Sequence, residues 1–351
     1  MSRAAVFRSA SEPLSIEEFV VPPLSAGEAL VKVECCTLCG SDLHSISGHR
    51  STPVPTVLGH EIVGRIAEVA TERPPVDVAG RPLDIGDRVV WSVAAACGSC
   101  DRCRRAMPQK CRQLFKYGHE AITATHALSG GLADYCLLVP GTAVVRVDDT
   151  IEATEISPAS CATATICEAV SGCRELRGRD VLIFGAGMLG LTATAMSIHQ
   201  GAANVTVCDI DPNRLARARL FGATAAIEWS TLSASTLEAD VVFEVSGATT
   251  AVEAAVSHAA VGGEVILIGS VSPVGPVAID PEQVVRRLLH IRGVHNYTPD
   301  SLARAVTFLT ETRARFPFAS LVEQSFPLSR TNEAIAFAQE SRACRIAVHP
   351  D

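Results

Sequence analysis

Hydrophobic and polar positions change rhythm once along the chain. From residue 4 to about residue 147 the apolar residues come in short runs, as in Ala29-Leu30-Val31-Lys32-Val33 and Ile62-Val63-Gly64-Arg65-Ile66, separated by Pro and Gly. Such runs predict short strands joined by turns and, together, an irregular β-barrel-like domain. From about residue 151 apolar stretches at 181–184, 205–208, 241–245 and 265–268 alternate with helical patterns. That alternation predicts a parallel sheet with helices on both faces. Beyond Asn296 two further helical patterns, 301–312 and 331–339, precede a last strand at 345–349, and this tail is expected to return to the first domain.

Length agrees with two domains: 351 residues exceed the roughly 100–200 of one ordinary core. The expected division is 1–153 with 297–351 for a catalytic domain and 154–296 for a dinucleotide-binding domain. A net charge of −8 gives no reason to approach nucleic acid or an anionic membrane. No run is long and apolar enough for a membrane span, and residues 1–10 lack the apolar core of a secretion signal, so a cytoplasmic protein is expected. The 13 cysteines cluster at ligand-like spacings in a long chain, which favours metal over a disulfide framework.

Cys97, Cys100, Cys103 and Cys111 form C-x2-C-x2-C-x7-C around a polar loop. Four thiolates so close suit a closed structural zinc with no position left for chemistry. A second set is spread out. Cys39-Gly40-Ser41-Asp42-Leu43-His44 and Gly59-His60-Glu61 each place a soft ligand at a turn. With Cys161 they would supply two thiolates and an imidazole, the three ligands of a catalytic zinc whose fourth position is open. By spacing alone Cys161 fits a buried helix cysteine equally well.

Gly185-Ala186-Gly187-Met188-Leu189-Gly190 follows an apolar strand and opens a helix, the context a G-x-G-x-x-G phosphate loop requires. Asp209, about twenty residues on, suits the adenosine ribose hydroxyls and would repel a 2′-phosphate, so NAD is expected over NADP. Arg214 is the counter-argument, because an arginine can serve that phosphate.

In this order, Cys39, Gly59-His60-Glu61, the four-cysteine lobe and Cys161 ahead of the dinucleotide loop resemble the zinc-containing medium-chain dehydrogenase/reductase family over essentially the whole chain. The resemblance implies an α/β protein with a GroES-like irregular β-barrel catalytic domain and a doubly wound Rossmann cofactor domain. It implies two zinc ions per subunit, with Cys39, His60 and Cys161 on the catalytic one, Asp42 accepting from the His60 ring and Glu61 beside the ion. Ser41 and His44 are implied as the proton relay between substrate and solvent, and Arg345 as a pyrophosphate contact. Subunits are implied to pair through edge strands around 265–279, as a homodimer or homotetramer. The reaction implied is reversible hydride exchange between an alcohol carbon and the nicotinamide ring.

The substrate is less determined. Alignment to that family puts Arg50, Val93 and Lys116 at pocket positions, where two cations would suit a phosphonate, phosphate or carboxylate; side chains turned to solvent fit as well. The strings Lys116-Tyr117-Gly118-His119-Glu120, Pro281-Glu282-Gln283-Val284-Val285-Arg286-Arg287 and Gly293-Val294-His295-Asn296-Tyr297 resemble a subgroup proposed for phosphonate metabolism. Polyols or cyclitols, whose hydroxyls would suit His295, Asn296 and Tyr297, are the alternative. Two other outcomes stay open: a catalytically silent structural or redox-sensing relative, and a thiol-linked formaldehyde-type dehydrogenase.

Overall fold

The computed structural model describes every residue except Pro273, Val274 and Arg342. The chain forms two compact units, one of residues 1–164, 298–311 and 318–351, the other of residues 165–297 and 312–317. The stretch 154–164, expected with the cofactor domain, thus belongs to the first unit. Its helix Ala153–Ile156 and 3-10 turn Ser157–Ser160 pack on the strands Ala29–Thr37 and Glu61–Val69.

In the first unit Ala29–Thr37 is the central strand. It pairs antiparallel with Glu61–Val69, Tyr135–Leu138 and the last strand Arg345–His349. Its residues are buried except Lys32 and Glu34, as a strand flanked on both edges requires. The tail therefore returns to this unit as expected, with Ala347 opposite Thr37 and Val348 opposite Cys36. The same sheet also holds Arg88–Ala95, Phe115–Lys116, Thr142–Arg146 and Val322–Pro327, and a separate three-stranded sheet is ordered Ser15–Phe19, Ser2–Phe7, Thr56–Val57. Leu58, Ile62, Ile66, Trp91, Tyr117 and Leu132 are buried in its core.

The second unit is a six-stranded parallel sheet in the order Ala225–Glu228, Asn204–Asp209, Asp180–Phe184, Ala239–Glu244, Ala259–Leu267, His290–Gly293. The four strands expected from apolar runs form its middle. Strand order reverses between Asp180–Phe184 and Ala239–Glu244, and the crevice beyond the carboxyl ends at such a reversal is where this architecture binds ligands. The stretch 265–279, through which subunits are expected to pair, begins in an inner strand of this sheet. Ala259–Leu267 has a partner on each side, and the edge next to it is His290–Gly293; positions 273 and 274 of that stretch lie outside the described residues.

Candidate active site

Strand register assembles the first half of the site. Thr37 stands opposite Glu61, so the chain just beyond one strand end meets the chain just before the other. Cys39 there caps the helix Gly40–Ile46. Asp42, fully buried, accepts from the Cys39 backbone N–H at 2.9 Å through Oδ2, and its Oδ1 lies 3.2 Å from His60 Nδ1 and 3.3 Å from the Gly59 nitrogen. One carboxylate thus fixes both the cysteine and the histidine. With Nδ1–H directed to Asp42, the His60 Nε2 lone pair is left for a metal. Ser41 Oγ lies 3.3 Å from that nitrogen.

Cys161 arrives from the far side. It follows the turn Ser157–Ser160, where Ser160 Oγ donates to the His60 carbonyl at 3.2 Å and the Ser157 and Thr37 hydroxyls are 3.1 Å apart. Ligand atoms of Cys39, His60, Glu61 and Cys161 all fall within 4.8 Å of one another. Glu61, though, is already engaged. Arg345 Nε and Nη2 donate to its two oxygens at 2.7 Å each, and Thr37 Oγ1 donates to Oε2 at 2.6 Å. What remains is two sulfurs and one imidazole, a donor set that fits zinc with an open fourth position. The Cys39 thiol is held well below its usual range because Cys161 donates to it and Arg345 and His60 lie close, which outweighs burial. Cys161 is pushed up by the same shared proton and by burial.

Arg345, implied as a pyrophosphate contact, sets its guanidinium against Glu61, and its Nη2 lies 3.7 Å from Cys39 Sγ. Besides the two bonds to Glu61, Nη1 donates to the Cys344 carbonyl at 2.9 Å, and the residue is 7% exposed.

The four-cysteine lobe leaves the sheet after Arg88–Ala95 and returns at Phe115–Lys116, and the pairing of Ala94 with Lys116 and Ala95 with Phe115 closes its neck. Sulfur separations are 3.4 Å for Cys97–Cys111, 3.5 Å for Cys100–Cys103 and 3.9 Å for Cys100–Cys111. A tetrahedron with Zn–S of about 2.3 Å has edges of roughly 3.8 Å, whereas a disulfide needs about 2.0 Å. Backbone N–H groups of Ser99 and Cys100 lower the Cys97 thiol to about 6, which favours the thiolate a metal requires.

In the second unit the strand Asp180–Phe184 turns at Gly185, with φ of 102°, into the helix Met188–His199 capped by Gly187. A Cβ on Gly190 would lie 1.8 Å from the Gly185 carbonyl oxygen, so only glycine lets the helix approach this loop. Asp209 ends the neighbouring strand; Oδ2 accepts from Ala186 N–H at 2.6 Å and Oδ1 from Asp211 N–H at 2.9 Å. The carboxylate therefore braces the loop, a role its sequence position did not reveal. Met188 is buried, Leu189 half-buried, and Arg214 half-buried on the helix Pro212–Leu220.

Of the substrate candidates, Arg50, Val93 and Lys116 belong to the unit holding Cys39 and Cys161, and all three are half-buried. His295, Asn296 and Tyr297 belong to the other unit, where His295 is exposed and Tyr297 buried. His44 is exposed, its ring 5.9 Å from that of His49. Sequence reasoning passed over His119 as a site residue, yet its ring lies 5.3 Å from the His60 ring. The available signal was a repeated tripeptide: Gly118-His119-Glu120 echoes Gly59-His60-Glu61.

A three-ligand metal site on a strand-rich unit and a glycine loop on a doubly wound sheet define a metal-dependent oxidoreductase. Comparison with known proteins gives the family. The alcohol dehydrogenase GroES-like domain matches residues 25–149, and the zinc-binding dehydrogenase domain residues 189–311. A 5-exo-hydroxycamphor dehydrogenase of Pseudomonas putida is 28% identical over 351 residues, spanning 95% of this chain and 94% of its own. An L-threonine 3-dehydrogenase of a Shewanella species is 31% identical over 289 residues, 78% of each chain. The crystal structure of an alcohol dehydrogenase from Thermotoga maritima superposes with a TM-score of 0.93 at 26% identity, covering 100% of this chain and 99% of that one. The chain belongs to the zinc-dependent medium-chain dehydrogenase/reductase family, and its activity is that of a zinc-dependent alcohol dehydrogenase.

Proposed function

We propose that the chain is an NAD(H)-linked alcohol/carbonyl oxidoreductase with two zinc ions per subunit, acting on a polar small molecule, either a phosphonate- or phosphate-bearing alcohol or aldehyde, or a polyol or cyclitol. The observation that carries this reading is the convergence of Cys39, His60 and Cys161 while Arg345 withholds Glu61. When bound, zinc supplies a Lewis acid and NAD a hydride acceptor.

The chain's own residues do the rest. Asp42 holds His60 in the tautomer that leaves Nε2 unprotonated. Ser41 Oγ, 3.3 Å from Nε2, takes the substrate hydroxyl proton, and exposed His44, at the other end of the short helix Gly40–Ile46, hands it to solvent. Gly185 to Gly190 receive the pyrophosphate at a helix N-terminus. Asp209, fixed by two backbone N–H groups, selects the unphosphorylated ribose and hence NAD. A dimer or dimer-built tetramer through the free edge His290–Gly293, in the cytoplasm, belongs to the same proposal; no helix of the described residues is long and apolar enough to cross a membrane.

The test is a panel of phosphonate-bearing aldehydes, cyclitols and simple alcohols assayed with NAD(H) and NADP(H) alongside metal analysis. Two zinc per chain with NAD-linked turnover is expected. One zinc per chain and no hydride transfer to any compound would refute the reading.

A further inference from the structure

The turn that ends the helix Gly40–Ile46 brings two histidines together at the opposite end of that helix from Cys39. Ser47 N–H donates to the Leu43 carbonyl at 2.9 Å and Gly48 N–H to the Ser45 carbonyl at 3.1 Å, with Gly48 at φ of 75°. A left-handed residue just past the last turn is how a helix ends and its chain reverses. A Cβ on Gly48 would also stand 3.3 Å from the Ala10 Cβ, so glycine fits on both counts. Beyond it Arg50 N–H returns to the His44 carbonyl at 3.1 Å, and the Thr52 and Ser45 hydroxyls are 2.7 Å apart. The backbone on both sides of His49 is thereby tied to the helix. His49 consequently lies beside His44, their rings 5.9 Å apart, edge to face.

Both side chains are exposed, and neither imidazole makes a hydrogen bond or ion pair among the described residues. Two other exposed histidines differ in this: His290 meets Arg174 at 3.0 Å, and His349 Nδ1 lies 2.9 Å from the Pro350 carbonyl oxygen. Neutral imidazoles held side by side with their lone pairs unclaimed suit zinc or nickel, whereas magnesium and calcium prefer oxygen ligands. The spacing agrees. With metal–nitrogen bonds of about 2.1 Å, two imidazoles on one tetrahedral ion have ring centres roughly 5 Å apart. A small rotation of the exposed side chains closes the observed 5.9 Å to that value.

We propose that His44 and His49 form a third metal site, taking a divalent transition ion such as zinc, with solvent in the remaining positions. It shares no ligand with the two cysteine-containing sites, and two surface ligands make its ion exchangeable. An ion there occupies the lone pair with which His44 accepts the relayed proton, so the metal inhibits turnover. This effect rests on the proposed proton relay through His44; binding itself does not.

The test is calorimetric titration of the zinc-loaded enzyme, freed of loosely held metal, with zinc, nickel and magnesium chlorides. Zinc and nickel each bind at one further equivalent per chain, and magnesium does not. His44→Asn and His49→Asn each raise the zinc dissociation constant about 100-fold, the advantage that two linked ligands hold over one. Both side chains are at the surface, and an unchanged melting temperature establishes that each variant is folded. Initial rates of the wild type fall as the site fills with zinc, and in His49→Asn the same inhibition needs correspondingly more. Absence of a further equivalent in the wild type overturns the site, as does equal binding of magnesium or an unchanged dissociation constant in either variant. Binding that depends on both histidines but leaves the rate untouched upholds the site and removes His44 from the relay. Absence of turnover with every substrate leaves the binding result standing and counts against the hydride-transfer reading alone.

Discussion

Replacing Arg345 by methionine keeps most of the side-chain volume and removes a buried charge whose partner stays behind. Glu61 is fully buried and Arg345 is 7% exposed, so water screens neither. The wild-type carboxylate accepts two bonds from Arg345 and one from Thr37; the variant keeps only the 2.6 Å bond from Thr37. Breaking one member of a buried pair ordinarily costs about 3–5 kcal/mol. The surviving Thr37 bond puts the expected loss for Arg345→Met near the lower end, about 3 kcal/mol. Glu61→Gln combined with Arg345→Met removes the orphaned charge and should recover more than half, a coupling that a double-mutant cycle reads directly. Urea unfolding of the zinc-loaded protein measures all four forms, and NAD affinity is measured alongside. A loss below about 1 kcal/mol, the scale of an exposed pair, together with a large drop in NAD affinity, would show that Arg345 serves the pyrophosphate after all.

Three shorter predictions bear on other parts of the chain. Gly190→Ala abolishes NAD binding in a fluorescence titration, because its Cβ would lie 1.8 Å from the Gly185 carbonyl oxygen; a dissociation constant within about threefold of wild type refutes the loop assignment. Cys103→Ser releases one zinc and exposes 96–114 to limited proteolysis, since the lobe has four sulfurs at tetrahedral spacing and little core of its own; full zinc retention counts against a closed site. Asp77 is 1% exposed at its side chain, and although burial opposes its charge, hydrogen bonds from Arg81, Arg146 and the Ala79 N–H hold its carboxyl below 3.8. A depressed carboxyl contributes stability above the unfolded value and loses it as pH falls through the folded one. Asp77→Asn should therefore cost about 1–3 kcal/mol at pH 7, and the wild-type and variant stability curves should converge below 3.8; parallel curves across that range refute the assignment.

The parts of the site legible in the sequence are those whose partners are close in the chain. Four cysteines within fifteen residues, 97 to 111, announce a metal by spacing alone, and the glycine loop announces itself by following an apolar strand. The strands at Ala225–Glu228 and His290–Gly293 escaped because they are the two edges of their sheet, short and half-buried, where no alternating period is imposed. Arg345 and Glu61 are 284 positions apart and meet only through the strand Ala29–Thr37, which pairs with both of their strands. No local pattern could report that contact. The consequence reaches the chemistry, for Glu61 is within ligand distance of both thiols, and the sequence leaves open whether it ligates. By docking beside Ala29–Thr37 the last strand of the chain delivers the guanidinium that engages both Glu61 oxygens, which is why the proposed reading takes Cys39, His60 and Cys161 as the residues that would hold a metal. Closed and open metal sites in this chain thus differ in a physical respect that explains their unequal legibility. The closed one is made by one lobe, and the open one by three distant segments and the strand that restrains their fourth neighbour.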